Sequence, residues 1–355
     1  REKIRTGLLL PMLKNIDKHK AGKSNWQTWH NAALLTGGAV LHDAGWIKKA
    51  LTQPGNGFVD QMKLSVTGDG MWYENSWGYH FYTLSALVVL AESSRRLGLD
   101  LWSHPAFKKM FTLPARYGMP DGSLPRWGDD VSSSAFKVAD RMEPAYHAYR
   151  DPLLLALLPD KPGWLGVLYG RDPQAKTEPA KLASAVFKTA GHAILRSEGP
   201  AGLTAALTYG PFGGFHGHFD KLSFVFYGLG QELGVDPGRA KSQAYRLPIH
   251  TKWYRATLGH NAVLVDGQSQ EGAEGKLEFF AASARFAAVK ASCETAYKGV
   301  RHARLLALAP EYLLVWDELK AADKKERRFT WLYHGQSKRC ACEAAAEPGK
   351  LKDVD

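Results

Sequence analysis

Apolar residues in the first half of the chain recur at three- and four-residue spacing, as in Leu84, Leu87, Val88 and Ala91 or Ala33, Leu34, Gly37, Gly38 and Leu41. This spacing predicts amphipathic helices from residue 1 to about 165. Pro54-Gly55, Gly68-Asp69-Gly70, Pro114, Pro120-Asp121-Gly122 and Pro152 interrupt the pattern, so the half reads as helix pairs joined by loops that hold most of the Trp and Tyr residues. Around residues 159–163 and 171–173 the pattern changes. After about residue 180 apolar residues alternate or form short β-branched and aromatic runs, predicting strands at 193–197, 203–209, 222–227, 231–235, 262–265, 277–282, 284–291, 303–308, 312–317 and 328–334. Turn residues between them suggest an antiparallel sandwich. The expected organisation is a helical domain over 1–170 and a β-rich domain over 180–355.

A chain of 355 residues exceeds the roughly 150-residue prior for one domain, in keeping with two. With 45% hydrophobic and 23% charged residues it has an ordinary globular composition, which excludes disorder as its main character. No apolar run is long enough to span a membrane. Cys293, Cys340 and Cys342 are too few for a disulfide framework, and the spacing of the last two does not match a zinc knuckle. Lys plus Arg outnumber Asp plus Glu by 46 to 35, and a net charge of +11 favours polyanionic partners. The basic residues are scattered rather than gathered into an arm, which weighs against nucleic acid and leaves acidic polysaccharide. Eleven Trp and fourteen Tyr suit stacking on sugar rings, although many must be core. The chain opens at Arg1 inside a helical pattern and so reads as a fragment, which makes the lack of a signal peptide uninformative about compartment.

The densest chemistry lies in Gly214-Phe-His-Gly-His-Phe-Asp220, where glycines permit a tight turn and gather His216, His218 and Asp220 just before a strand. Asp236, in Val-Asp-Pro-Gly, and His260, in Gly-His-Asn, fall at other strand ends. Two histidines and a carboxylate from such ends would make a zinc site; as core histidines and a turn-forming Asp-Pro-Gly they would make none. In Ser24-Asn-Trp-Gln-Thr-Trp-His-Asn31 the pairs Asn25/Trp29 and Trp26/His30 share helical faces, as either a wet aromatic face or a capped helix with core tryptophans. Residues 69–82 form a polar and aromatic loop entering a helix near Tyr79, a tyrosine able to act as acid or base if positive charge lowers its pKa from about 10. Tyr245 lies between Asp236 and His260, where folding could return it to the same site. Arg126, Lys23, Arg239 and Arg255 read either as partners of an anionic sugar or as solvated charges. Phosphate-loop, nucleophile-elbow and HExxH motifs are absent, which lowers nucleotide-binding, serine-hydrolase and metalloprotease readings.

Taken in order, Asn25-Trp-Gln-Thr-Trp-His30, Gly78-Tyr-His-Phe-Tyr82, His216-Gly-His-Phe-Asp-Lys-Leu-Ser-Phe224, Val235-Asp-Pro-Gly238 and Trp253-Tyr-Arg-Ala-Thr-Leu-Gly-His-Asn261 resemble the heparinase II/III-like superfamily of polysaccharide lyases, which includes exo-acting alginate lyases and glycosaminoglycan lyases. The resemblance implies an α+β multidomain protein, an N-terminal (α/α) toroid followed by an antiparallel β-sandwich with the cleft between them. Residues 1–165 supply fewer helices than the usual toroid, so it is incomplete or helices are missing. It further implies that Asn25 neutralises a uronate carboxylate with Gln27 or His30 in support, that Tyr79 is acid and base, that His216 takes the proton on the other face, and that Tyr245 is a further active-site tyrosine. His218, Asp236 and His260 align with the ligands of one Zn2+, a mainly structural ion. Substrate contacts are expected from Gln27, Trp29, Trp77, Arg126, Trp127 and Arg239. The expected location is periplasmic or secreted.

The expected activity is β-elimination on a uronic-acid polysaccharide, whether heparin, heparan sulfate, hyaluronan or alginate. A glycoside hydrolase would instead need two carboxylates about 5 to 9.5 Å apart, for which Glu74, Asp129 and Glu143 are candidates without a motif. A third alternative is a non-catalytic protein that binds acidic polysaccharide. Nucleic-acid and membrane partners are not expected.

Overall fold

The computed structural model describes residues 1–131, 134, 139–175, 182–241, 247–322 and 325–336. The helical spacing of the first half is realised in α1 (Glu2–Ile4), α2 (Leu10–Lys18), α3 (Asn25–Leu41), α4 (Ala44–Thr52), α5 (Phe58–Ser65), α6 (Trp77–Arg95), α7 (Pro105–Tyr117), α8 (Ala139–Tyr149), α9 (Pro152–Leu155) and α10 (Trp164–Leu168). Ser24 caps α3 by accepting from Trp26 N, and His42 ends the helix in the left-handed region. α3 and α6 pack on each other, burying Leu34 and Leu35 of one and Leu84 and Leu87 of the other. Among the described residues no helix is long and apolar enough to cross a membrane.

The second half contains three antiparallel sheets. β1 (Ala185–Phe187), β2 (His192–Arg196), β3 (Thr204–Thr208), β4 (Phe224–Gly228) and β5 (Gln231–Gly234) run in sequence order, as do β7 (Lys276–Ala282), β8 (Ala287–Tyr297), β9 (Val300–Leu308) and β10 (Leu313–Ala321); β6 (Val263–Val265) pairs with β11 (Phe329–Trp331). Every predicted strand is present, with shifted ends, and β1 is an addition.

The first sheet has two covered faces. Ile194, Ala206, Val225 and Tyr227 join the core of the helical half, while Ala193, Leu195, Ala205 and Leu207 share a core with Val289, Ala291, Leu306 and Leu308 of the second sheet. Adjacent side chains point to opposite faces of a strand, so burial on both sides explains why β2 and β3 read as continuous apolar runs. Polar ties fasten the halves. Asp69 Oδ2 accepts from Thr189 N, Thr189 Oγ1 and Ala190 N at 2.6, 2.7 and 3.0 Å, and the Tyr117 hydroxyl meets His192 Nδ1 at 3.0 Å.

Candidate functional site

At the start of α3 the Asn25 side chain turns inward, and its Nδ2 donates to Glu74 Oε2 at 2.7 Å. Trp72 Nε1 donates to the same oxygen at 2.6 Å. The segment holding Glu74 is anchored from α6: buried His80 accepts from Trp72 N through Nδ1 at 3.2 Å and faces the Met110 carbonyl through Nε2 at 3.0 Å. Burial drives the His80 pKa down to about 4, with the Met110 carbonyl opposing it, so the ring is neutral and serves as a bracket.

His216, in the turn Gly214–His216, sits between two carboxylates. Its Nδ1 is 2.8 Å from Asp129 Oδ2 and its Nε2 is 3.6 Å from Glu74 Oε1. Tyr79, on the first turn of α6, stacks on the His216 ring with centroids 3.7 Å apart and planes 21° from parallel. The sequence therefore delivers Asn25, Tyr79 and His216 to one place, joined by Glu74.

Asp129 touches a second histidine, with its Oδ1 3.0 Å from His218 Nε2. Burial alone would raise the Asp129 carboxyl, but hydrogen bonds from His216 and His218 outweigh it and bring the pKa down to about 2. As an ionised carboxylate it accepts only, so His216 Nδ1 and His218 Nε2 both donate. That leaves the lone pair of His218 on Nδ1, a buried atom without a hydrogen-bond partner. His218, Asp236 and His260 are fully buried, and their donor atoms lie within 4.8 Å of one another, forming a possible metal-binding triad. His260 Nδ1 is 2.8 Å from Asp236 Oδ2, and Asp236 Oδ1 accepts from Gly238 N at 2.8 Å. The buried lone pair of His218 and this nitrogen and oxygen donor set fit a metal ion of the zinc kind.

The loop carrying Asp129 is held by two close backbone approaches. A Cβ on Gly128, at φ +59°, would lie 2.7 Å from His216 O, and one on Gly238, at φ +54°, would lie 2.1 Å from Asp130 O. Only glycine satisfies both conditions at such points.

Several expected contacts fall elsewhere. Trp77 is fully buried against Tyr117 and His80, and Trp127 packs on His192 at 3.9 Å, so both are core residues rather than sugar platforms. Gln27 is buried, donating to Asn31 Oδ1 and accepting from Ala21 N, which fixes the chain entering α3. Trp29 packs beside Tyr82. His30, on α3, is held below its ordinary pKa by partial burial and then by the charge of His19. Arg126 pairs with Glu232 at 2.5 Å. Arg239 lies against the Asp129 loop, its Nε donating to Asp129 O at 3.0 Å. Tyr245, Cys340 and Cys342 lie outside the described residues. Three further residues join this cluster: Glu74 and Asp129, weighed from the sequence only as hydrolase carboxylates, and buried His250, whose Nε2 is 3.7 Å from Asp129 Oδ1. Acidic residues between aromatic motifs were the available signal for the first two.

Comparison with known proteins matches both halves. Residues 179–351 match the family model "Heparinase II/III-like, C-terminal", and residues 9–123 match "Alginate lyase". An alginate lyase of Stenotrophomonas maltophilia (strain K279a) is 26% identical over 332 residues, covering 80% of this chain and 43% of that protein. An exo-oligoalginate lyase of Saccharophagus degradans (strain 2-40) is 36% identical over 61 residues, 15% of this chain and 8% of that protein. Among solved structures, heparan sulfate lyase HepC from Pedobacter heparinus superposes with a TM-score of 0.67 at 17% identity, covering 87% of this chain and 48% of that one. Heparinase III gives 0.66 at 16%, covering 84% and 47%. The chain thus spans less than half the length of these relatives. The structural likeness shows a shared fold of helices followed by antiparallel sheets, and the family resemblance read from the motifs holds in both halves.

Proposed function

From a chain whose helical half matches an alginate-lyase model and whose β-rich half matches the heparinase II/III-like C-terminal model, we infer a polysaccharide lyase that cleaves a uronic-acid polymer by β-elimination. The observation that carries this is the stacking of Tyr79 on a His216 ring flanked by Asp129 and Glu74, with Asn25 on the same Glu74 carboxylate.

Elimination needs the substrate carboxylate neutralised, the C5 proton removed and the leaving oxygen protonated. The Asn25 amide has two N–H groups; Glu74 takes one and so orients the other toward a uronate carboxylate, favouring the charge that develops as C5 loses its proton. His216, with Nδ1–H held by Asp129, presents Nε2 as a base, and the Tyr79 phenol beside it supplies a proton to the glycosidic oxygen. His218, Asp236 and His260 would hold one zinc ion, which cross-links the loops behind His216 when bound. Asp129 contacts both sides of this arrangement and positions His216 and His218 together. The toroid-and-sandwich architecture and a periplasmic or secreted location belong to the same reading. Both sequence relatives carry alginate in their names, which favours alginate as substrate.

A hydrolase is disfavoured because Glu74 and Asp129 are both buried and already hydrogen-bonded to Asn25, Trp72, His216 and His218. Incubation with alginate, heparan sulfate, hyaluronan and chondroitin sulfate in parallel, reading ultraviolet absorbance and reducing ends, tests the proposal. Absorbance should rise with alginate. New reducing ends without absorbance would instead establish hydrolysis.

A further inference from the structure

Adjoining the catalytic cluster is a cavity of about 440 Å³ whose wall includes Lys23, Tyr73, Asn75, Phe212 and Gly214. That volume lies in the range of small-molecule sites, about 300–1,000 Å³. Its lining alternates in sequence with the cluster: Lys23 stands two residues before Asn25, Asn75 follows Glu74, and Gly214 stands two before His216.

Lys23 is an exposed cation held in place. Its Nζ sits 4.3 Å from the Tyr73 ring centroid while its backbone carbonyl accepts from the Tyr73 hydroxyl at 2.8 Å. Burial and then the neighbouring Glu74 raise the Tyr73 phenol to about 12, so it stays neutral and keeps donating. Among the described residues no carboxylate pairs with Lys23. Asn75 adopts a left-handed φ of 56°, and its Oδ1 accepts no protein hydrogen bond. Phe212 and Tyr73 add aromatic surface to a wall that also includes the polar Ser65 and Thr67.

We propose that this cavity is the subsite for the sugar next to the one reacting at His216, and that it takes a hexuronate whose carboxylate pairs with Lys23. The Lys23 ammonium is a point charge that can pair with one carboxylate from a range of directions, and a guanidinium at the same place can pair with it as well. In a polymer made only of uronates the neighbouring sugar carries such a carboxylate; in an alternating glycosaminoglycan that place is taken by a hexosamine. The proposal rests on the lyase reading and narrows it to polyuronates.

The test compares the chain with Lys23→Gln and Lys23→Arg, using alginate and heparan sulfate oligosaccharides of equal length. Binding is read by calorimetry and turnover by ultraviolet absorbance. Lys23 is exposed, so the melting temperature should not move. Lys23→Gln should weaken binding of alginate oligosaccharides and raise their KM roughly tenfold with a much smaller fall in kcat, and Lys23→Arg should recover most of the loss. Unchanged affinity and KM would overturn the subsite, and a loss confined to heparan sulfate would overturn the hexuronate assignment. Lys23-dependent binding of alginate oligosaccharides without absorbance on any polymer would uphold the subsite and sink the lyase reading instead.

Discussion

Tyr79 and His216 share a stacked face, so removing one hydroxyl tests the proton transfer without disturbing the packing. Tyr79→Phe should lower kcat by about 10²–10⁴-fold at an unchanged melting temperature; near-normal turnover would remove Tyr79 from the mechanism. His218→Ala should lower both metal content and melting temperature, because ligand loss costs folding energy when the metal binds only the folded state. A variant with its parent's metal content and stability would refute the triad. Side-chain chemistry at this scale was partly legible in the sequence. Asn25, Tyr79 and His216 stood out because polar and ring-bearing residues in short glycine-punctuated motifs have few structural reasons to be there. Trp77 and Trp127 misled because an aromatic residue beside such motifs looks the same whether it faces a cleft or, as here, the core. Glu74 and Asp129 were noticed without their partners, since a carboxylate's role is set by groups brought to it from elsewhere in the chain.

The elements were more legible than the loops joining them. Strand spacing located ten strands because alternation and turn residues persist over each run, whereas β1, with only Ala185–Phe187, is too short to show a period. The loops depend on backbone approach, which sequence records only as glycine. Gly238 is the sharpest case: alanine there would combine an unfavourable φ of +54° with a Cβ 2.1 Å from Asp130 O. Gly238→Ala should cost at least about 1 kcal/mol of stability and, by displacing Asp236 and the Asp129 loop together, reduce metal content and turnover. Calorimetry and metal analysis on the same sample check this; wild-type values for both would mean that the loop absorbs the side chain.

Across the whole molecule, the second sheet is tied to the segments beside His218 and His260 through an ion pair whose guanidinium is fully buried. Arg304 on β9 meets Asp317 on β10 at 2.8 and 3.0 Å and also donates to the carbonyls of Leu222 and Asn261, at 2.6 and 2.5 Å. Burial by itself would raise the Asp317 carboxyl; the hydrogen bond from His302 and the Arg304 guanidinium overcome this and hold it far below the usual carboxylate range. Its contribution to stability is therefore complete above the unfolded value near 3.9 and declines as the pH falls below that. Asp317→Asn should cost about 3–5 kcal/mol at neutral pH by leaving Arg304 buried without its counter-charge. It should also flatten the acid limb of stability against pH; an unaltered acid limb would assign that loss to other carboxylates. The first sheet, covered by helices on one face and by the second sheet on the other, bears on how the protein comes apart. The change from helix to strand near residue 180 divides the chain by element type, yet neither side can leave without stripping Ile194, Val225 and Tyr227 of their cover. Heating should accordingly give one calorimetric transition whose measured enthalpy equals the van't Hoff value. A fragment beginning near residue 180 should precipitate through its bared sheet, because the face that carries Ile194, Val225 and Tyr227 would meet water.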